Sequence, residues 1–207
     1  MYDRKDALYQ RAKREGYRSR AAYKLLELQT RGRVLRRGQA VVDLGAWPGG
    51  WLQVAAELVG PSGRVVGVDL AEIDPLPMPQ ITVMRGDVSD PGCATRVSAV
   101  LGRKADVILS DLAPKLTGIG PRDAAQTATL AAATRTLAVS LLSPGGTLVT
   151  KTLGGREGEL ARAALKELFS GVRQLGLDAT RKGSSELYLI ATGFRAGGKR
   201  LTGKLRA

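Results

Sequence analysis

The stretch AVVDLGAWPGGWLQVAAELVGPSGRVVGVDL, residues 40–70, decides the fold. It opens on a short apolar run, Ala40 to Leu44, of the kind needed by a strand buried on both faces. A glycine-rich turn over 45–50 leads into a helical stretch over 51–59. Pro61-Ser62-Gly63 makes a turn, and RVVGVDL, 64–70, reads as a second buried strand that ends in an acid. Strand, helix and strand in so short a span form a parallel crossover unit.

Outward from that unit the alternation continues. ITVMRGD (81–87) is followed by the helical PGCATRVSAVLG (91–102), then ADVILSD (105–111) and an Ala/Leu-rich helix from about 123 to 142. A turn SPGG (143–146) leads to the strand TLVTKTL (147–153) and the helix REGELARAALKELF (156–169). The pattern predicts an α/β doubly wound, mostly parallel sheet. VRQLGL (172–177) and ELYLIATGF (186–194) are too close for a crossover helix, so they predict an antiparallel hairpin closing the sheet. Before the first strand, residues 4–30 place Leu8, Ala12, Ala22, Leu25, Leu26 and Leu28 among Lys and Arg at helical spacing. Gly16 breaks that run, so two basic helices are expected. The chain reads as a single domain over 1–207, with a basic helical segment at 1–38 and a basic, glycine-rich, mobile tail at 195–207.

Composition narrows the chemistry. With 43% hydrophobic and 25% charged residues and no long apolar run, the 207 residues suit a soluble globular protein and exclude a membrane span. The charged N-terminus lacks a secretory apolar core, so a cytoplasmic location is expected, and the protein is expected to be a monomer. Histidine is absent, which removes Ser-His-Asp and Cys-His catalysis and His-ligated zinc, and no metal site is expected. The lone Cys93 reads as an ordinary small residue. Net charge is +13, and it is unevenly placed. Residues 1–40 hold 12 Lys/Arg against 4 Asp/Glu and residues 178–207 hold 7 against 2, while 41–177 carry 13 of each. A neutral body with two basic ends points to a polyanionic partner, nucleic acid in its simplest form, against the alternative of merely solvated tails.

The turn at Asp43-Leu-Gly45-Ala-Trp47-Pro48-Gly49-Gly50 lies where open α/β sheets bind their ligands. It is neither G-x-G-x-x-G nor a P-loop, and Pro48 removes one N–H from it. A ligand with no phosphate to cradle fits better, and S-adenosylmethionine is one. Asp69 closes the second strand, where a carboxylate bonds ribose hydroxyls. Asp87 closes the third, where one can accept from an adenine amino group. For each acid alone, a turn or helix-capping role is the competing reading.

Several short motifs then occur in order. They are Arg20-Ala-Ala-Tyr23-Lys24-Leu, Asp43-Leu-Gly-Ala-Trp-Pro-Gly-Gly-Trp51-Leu-Gln53, Ser110-Asp111-Leu-Ala113-Pro114 with Thr117-Gly118, Lys151-Thr-Leu, and Ser184-Ser185-Glu186-Leu-Tyr188. Over residues 15–194 the chain resembles the FtsJ/RrmJ family of S-adenosylmethionine-dependent RNA ribose 2′-O-methyltransferases. The resemblance implies a Rossmann-like class I methyltransferase fold with a seven-stranded sheet. It also implies ribosomal RNA as partner, a uridine of 23S rRNA within the large subunit. It places a catalytic tetrad on Lys24, Asp111, Lys151 and Glu186 and the cofactor on Gly45, Trp51, Asp69, Asp87 and Asp111, in a loop that Asp43, Gly49 and Gly50 complete. Trp47 and Lys115 depart from the family, which usually has a smaller residue and an Asn there.

The chemistry asks for a base, because a ribose hydroxyl loses its proton as it attacks a sulfonium methyl. Lysine starts near pKa 10.4, and a crevice with a second ammonium lowers it. Lys151 is expected as the base, depressed by Lys24 and oriented by Asp111, with Glu186 holding the ribose or Lys24; a purely positioning role for Lys151 is the alternative. Tyr23 and Tyr188 read as core or as base-stacking residues. With 4% aromatics, RNA contact is expected to rest on phosphates. Competing functions are an RNA-binding assembly factor on the same fold, a tRNA 2′-O-methyltransferase and a small-molecule methyltransferase.

Overall fold

Apolar β-forming runs separated by amphipathic helices close into one seven-stranded sheet. A computed structural model describes residues 7–114, 120–180 and 184–197. Strands β1 (Ala40–Leu44), β2 (Arg64–Asp69), β3 (Ile81–Arg85), β4 (Ala105–Ser110), β5 (Leu142–Leu153), β6 (Phe169–Leu175) and β7 (Glu186–Phe194) lie in the order β3-β2-β1-β4-β5-β7-β6. The first five run parallel, and β7 is antiparallel to both β5 and β6. The expected hairpin is present, with β7 inserted beside β5 and β6 left at the edge. Every residue of β1 is buried, as its unbroken apolar run requires.

Helices cover both faces. α2 (Ala22–Gly32) and α3 (Gly50–Val59) pack on one face through Leu25, Leu28, Leu52 and Val54, together with Val41, Val107 and Tyr188 of the sheet. On the other, α4 (Cys93–Leu101), α5 (Gly120–Leu141) and α6 (Arg156–Leu168) cover Val42, Ile108, Leu148 and Leu189. α1 (Ala7–Arg14) packs through Ala12 near Tyr23 and Ala179. The two basic helices are thus present, separated by residues 15–21 rather than by Gly16 alone.

Several boundaries differ from the sequence reading. Ser143 to Gly146 do not precede β5 as a free turn. Leu142 pairs with Ala105 and Thr147 with Val107, so the four turn-formers bulge out of a strand that β4 grips on both sides. Asp87 lies two residues beyond β3 and Asp111 one residue beyond β4, while β6 begins three residues earlier than read, at Phe169. In each case ladder pairing with a neighbour, invisible in a single segment, sets the boundary. Lys115, Thr117, Gly118 and the tail beyond Gly197 lie outside the described residues.

Candidate active site

The chain runs from β1 outward to β3 and then returns to place β4 on the other side of β1. Open sheets bind ligands at the carboxyl ends of the strands where the order reverses. Here that crevice lies between the β1 loop and Asp111, the first residue after β4.

Strand register assembles the tetrad. Ser110 pairs with Thr150, which sets Asp111 beside Lys151. Across the antiparallel ladder Lys151 faces Tyr188, and Leu153 faces Glu186. Residues opposite each other share a face, as do residues two apart on one strand, so Lys151, Tyr188 and Glu186 point toward α2. Lys24, in the first turn of α2, meets them there. The Lys151 ammonium donates to the Asp111 backbone oxygen at 2.7 Å and lies 3.0 Å from its Oδ1. The Lys24 ammonium donates to Glu186 Oε1 at 2.6 Å. The Tyr188 hydroxyl stands between the pairs, 2.7 Å from Asp111 Oδ1 and 2.9 Å from Glu186 Oε1, one proton shared by two carboxylates. The result is a chain of contacts, Lys151–Asp111–Tyr188–Glu186–Lys24. Its charged side chains are only 14–19% exposed, so each ion pair is largely shielded from water.

Burial drives the Tyr188 phenol far above its ordinary range, and the Asp111 and Glu186 carboxylates add to this. It therefore stays a donor and does not accept a proton at neutral pH.

The loop beside the tetrad needs its glycines. Gly45 has φ +81°, and a Cβ there would stand 2.9 Å from Leu112 Cδ2; Gly49 caps α3 at φ +111°. A Cβ on Gly50 would collide with the Ser19 hydroxyl. Asp69 accepts from the Trp47 and Ala71 backbone N–H groups, and Asp87 accepts from that of Ser89. Both thus play the turn role the sequence left open, while their carboxylates keep lone pairs for a ligand. Trp51 lies behind the loop, donating its indole N–H to the Ala21 carbonyl at 2.7 Å, with its ring 6.0 Å from that of Tyr188. It links the loop to the tetrad.

Asp43 is the anomaly. Its carboxylate is 1% exposed and neither oxygen has a hydrogen-bond partner. Burial, then the nearby Asp111 and Asp69 charges, lifts its pKa well above the usual carboxylate range. Three carboxylates converge on a glycine-lined crevice, and the central one lacks a counter-charge. A ligand bearing positive charge and N–H donors answers that need, and S-adenosylmethionine, with a sulfonium and an ammonium, fits. A second cavity of about 300 Å³ between α5 and α6 reaches Lys151 but is otherwise lined largely by apolar residues such as Leu130, Leu148 and Leu165, and has none of these acids in its wall. It does not suit so polar a cofactor.

Residues 17–194 match the model of the FtsJ-like methyltransferases. The chain belongs to this family. It is 46% identical over 190 residues to the ribosomal RNA large subunit methyltransferase E of Natronomonas pharaonis, covering 92% of this chain and 74% of that one. With the enzyme of the same name from Syntrophobacter fumaroxidans it shares 43% over 194 residues, 94% of this chain and 98% of the relative. Among solved structures, a Plasmodium falciparum protein described as a ribosomal RNA methyltransferase superposes with TM-score 0.75 at 27% identity, over 86% of this chain and 98% of that one. Aeropyrum pernix fibrillarin, crystallised with S-adenosylmethionine, has the same fold, with TM-score 0.57 at 18% identity over 83% of this chain and 76% of that one. As an FtsJ-like methyltransferase the protein uses S-adenosylmethionine as its methyl donor.

Two residues of this FtsJ-like site escaped the sequence reading. Tyr188 reads there as core or stacking residue, yet it joins both ion pairs; its spacing of two from Glu186 on a strand was the available signal. Arg18 donates to the carbonyls of Pro48, Asp74 and Pro75, stapling the cofactor loop to the segment after β2. No local pattern foreshadows that contact.

Proposed function

We propose that this FtsJ-like protein transfers the methyl of S-adenosylmethionine to a ribose 2′-hydroxyl of large-subunit ribosomal RNA, in its finest form a uridine of 23S rRNA. The RNA class is supported by the relatives' names, and the uridine by the family resemblance. The observation that carries the reaction is the contact chain from Lys151 to Lys24 set against the unpartnered Asp43. Asp43, Gly45, Gly49, Gly50, Asp69, Asp87 and Asp111 would hold the cofactor, with Trp51 backing the loop. When bound, S-adenosylmethionine supplies an electrophilic methyl on a sulfonium.

A ribose 2′-hydroxyl that receives this methyl would have to give up its proton, and that proton must go to a base. Tyr188 is a donor, and the Asp111 and Glu186 oxygens that face the cluster already accept from it and from the lysines. In this scheme the Lys151 ammonium first releases a proton to solvent, and the neutral amine, aimed by the Asp111 carbonyl and carboxylate, then takes the hydroxyl proton. Glu186 aims Lys24 at the same place, where its charge draws in the RNA backbone. All these groups come from one chain, which supports a monomer, and ribosomal RNA as substrate supports a cytoplasmic location.

The test is methyl transfer from labelled S-adenosylmethionine to ribosomal particles from cells lacking the protein, followed by mapping of the methyl. Lys151→Met should lower kcat by about 100-fold or more, the scale of lost general-base catalysis, while cofactor affinity stays within about twofold. Wild-type kcat should rise with pH where transfer is rate-limiting, and the variant should lose that rise. A methyl on a base rather than a ribose, or full activity in Lys151→Met, would overturn the assignment.

A further inference from the structure

Every parallel strand starts at the sheet edge opposite the tetrad, and that edge is basic. Arg36 and Arg37 precede β1, Arg64 opens β2, Arg103 and Lys104 precede β4, and Arg33 caps α2; all are exposed. Their neighbours confirm a common rim. Arg103 donates to the Gly38 carbonyl, Arg64 to that of Leu101 and Lys104 to that of Ser140. Antiparallel β7 ends at the same edge, so exposed Arg195 joins it. The carboxylate set among these cations is Asp106, which Arg103 and the Ala40 N–H already engage.

Within the rim is a polar hollow of about 390 Å³, bounded by Arg33, Arg36, Ser143, Gly146 and Thr192, with Asp106, already engaged by Arg103 and the Ala40 N–H, also in its wall. The β5 bulge forms one wall. Guanidinium groups, hydroxyls and glycine backbone around an open hollow are the recognition chemistry of a phosphodiester chain. Gly146 and Lys151 lie on the same strand, five residues or about 16 Å apart at the rise of a β-strand. No single nucleotide reaches both.

We propose that this rim and hollow form a second RNA-backbone site, which grips a segment several nucleotides away from the ribose being methylated. The inference rests on the RNA-methyltransferase reading and adds what it leaves open: the substrate is a folded RNA wrapped from one edge of the sheet to the other, not a short strand threaded through the crevice. Contacts there are to phosphate and independent of sequence.

Arg36→Gln/Arg37→Gln tests it on the full-length protein. Binding is measured to a folded large-subunit rRNA fragment and to a four-nucleotide RNA, each across a salt series. For the folded fragment, the variant should bind about tenfold more weakly, with a log affinity–log salt slope shallower by about 1.4–1.8, the loss of two phosphate contacts. The four-nucleotide RNA should bind both proteins equally, and kcat at saturating substrate should not change. Arg85→Gln/Arg96→Gln, which removes the same charge at the other edge, beside the cofactor loop, should change the folded fragment's slope less than Arg36→Gln/Arg37→Gln does. Unchanged affinity and slope on the folded fragment would overturn the proposal, as would equal losses in the control or on the short RNA. A loss on intact ribosomal particles with none on naked RNA would mean a protein partner and overturn it too. Should the wild type bind RNA yet transfer no methyl, the reaction assignment fails while the binding comparison still decides the rim.

Discussion

A buried carboxylate without a donor is costly, and Asp43 carries that cost in the absence of ligand. Its pKa is raised in the folded state, while in the unfolded chain it stays near an ordinary 3.9. From about pH 4 upward the folded protein holds a proton that the unfolded chain has released, so the Asp43 contribution to stability falls as pH rises. Asp43→Asn removes that dependence. Calorimetry without cofactor should find the variant melting several degrees above wild type at pH 8, with a smaller gap at pH 5, and titration should find S-adenosylmethionine bound at least tenfold more weakly. A gap equal at both pH values would mean that the charge is not the cause. At this scale, legibility was partial. The loop from Asp43 to Gly50 announces a ligand through its glycines, and the family motifs name Lys24, Asp111, Lys151 and Glu186. Neither reveals that Asp43 is buried or that Tyr188 joins two carboxylates, because the first depends on β2 and β4 flanking β1 and the second on the strand order that brings Asp111 close to β7.

Helices and strands were legible wherever the apolar period is strong, as in β1, α3 and β4, and less so where a neighbour fixes the boundary. The β5 bulge is the clearest case: Pro144, Gly145 and Gly146 read locally as a turn, but β4 holds the residues on either side. The ties that orient α2 were also hidden. Gln53 accepts from the Arg18 N–H and donates to the Gly16 carbonyl, locking residues 16–18 to α3. Farther along, Glu27 accepts from the Asp178 and Ala179 N–H groups and from Arg31. Burial pushes the Glu27 pKa up, but these three donors outweigh it and the net shift is downward. A lowered carboxylate contributes stability above its unfolded value near 4.3 and loses it as pH falls. Glu27→Gln cannot satisfy both backbone donors, so urea unfolding at pH 7 should show a loss of about 1–3 kcal/mol. The deficit should shrink below about pH 4; a deficit constant down to pH 3 would point to packing rather than charge.

Summed by segment, residues 41–177 are neutral, yet in space they are polarised. A parallel strand begins at one edge and ends at the other, so cations before strands and acids after them collect at opposite edges. Arg64, Arg103 and Lys104 stand at one edge, and Asp43, Asp69, Asp87 and Asp111 at or near the other. Segment sums hide this because the two signs alternate along the chain. RNA must approach the cofactor at this second edge, where the Asp69 and Asp87 carboxylates oppose a polyanion and the Lys24 and Lys151 ammoniums attract it, and a bound cationic ligand tips that balance toward binding. Methyl transfer turns the sulfonium into a neutral sulfide, so the product cofactor leaves this edge one positive charge poorer. RNA should therefore bind more tightly to the S-adenosylmethionine complex than to the S-adenosylhomocysteine complex. One charge acting over about 8–10 Å at an effective dielectric between those of a protein surface and water is worth about 0.5–2 kcal/mol, a difference of about two- to thirtyfold at low salt. Raising the salt toward 0.5 M shortens the screening length and should erase most of it, whereas a contact-based preference for the methyl group would persist. Fluorescence anisotropy of one rRNA fragment with each cofactor, at 50 mM and 500 mM salt, separates the two causes. Equal affinities at 50 mM would show that the acidic edge exerts no hold on RNA, and product release would then need another driving force.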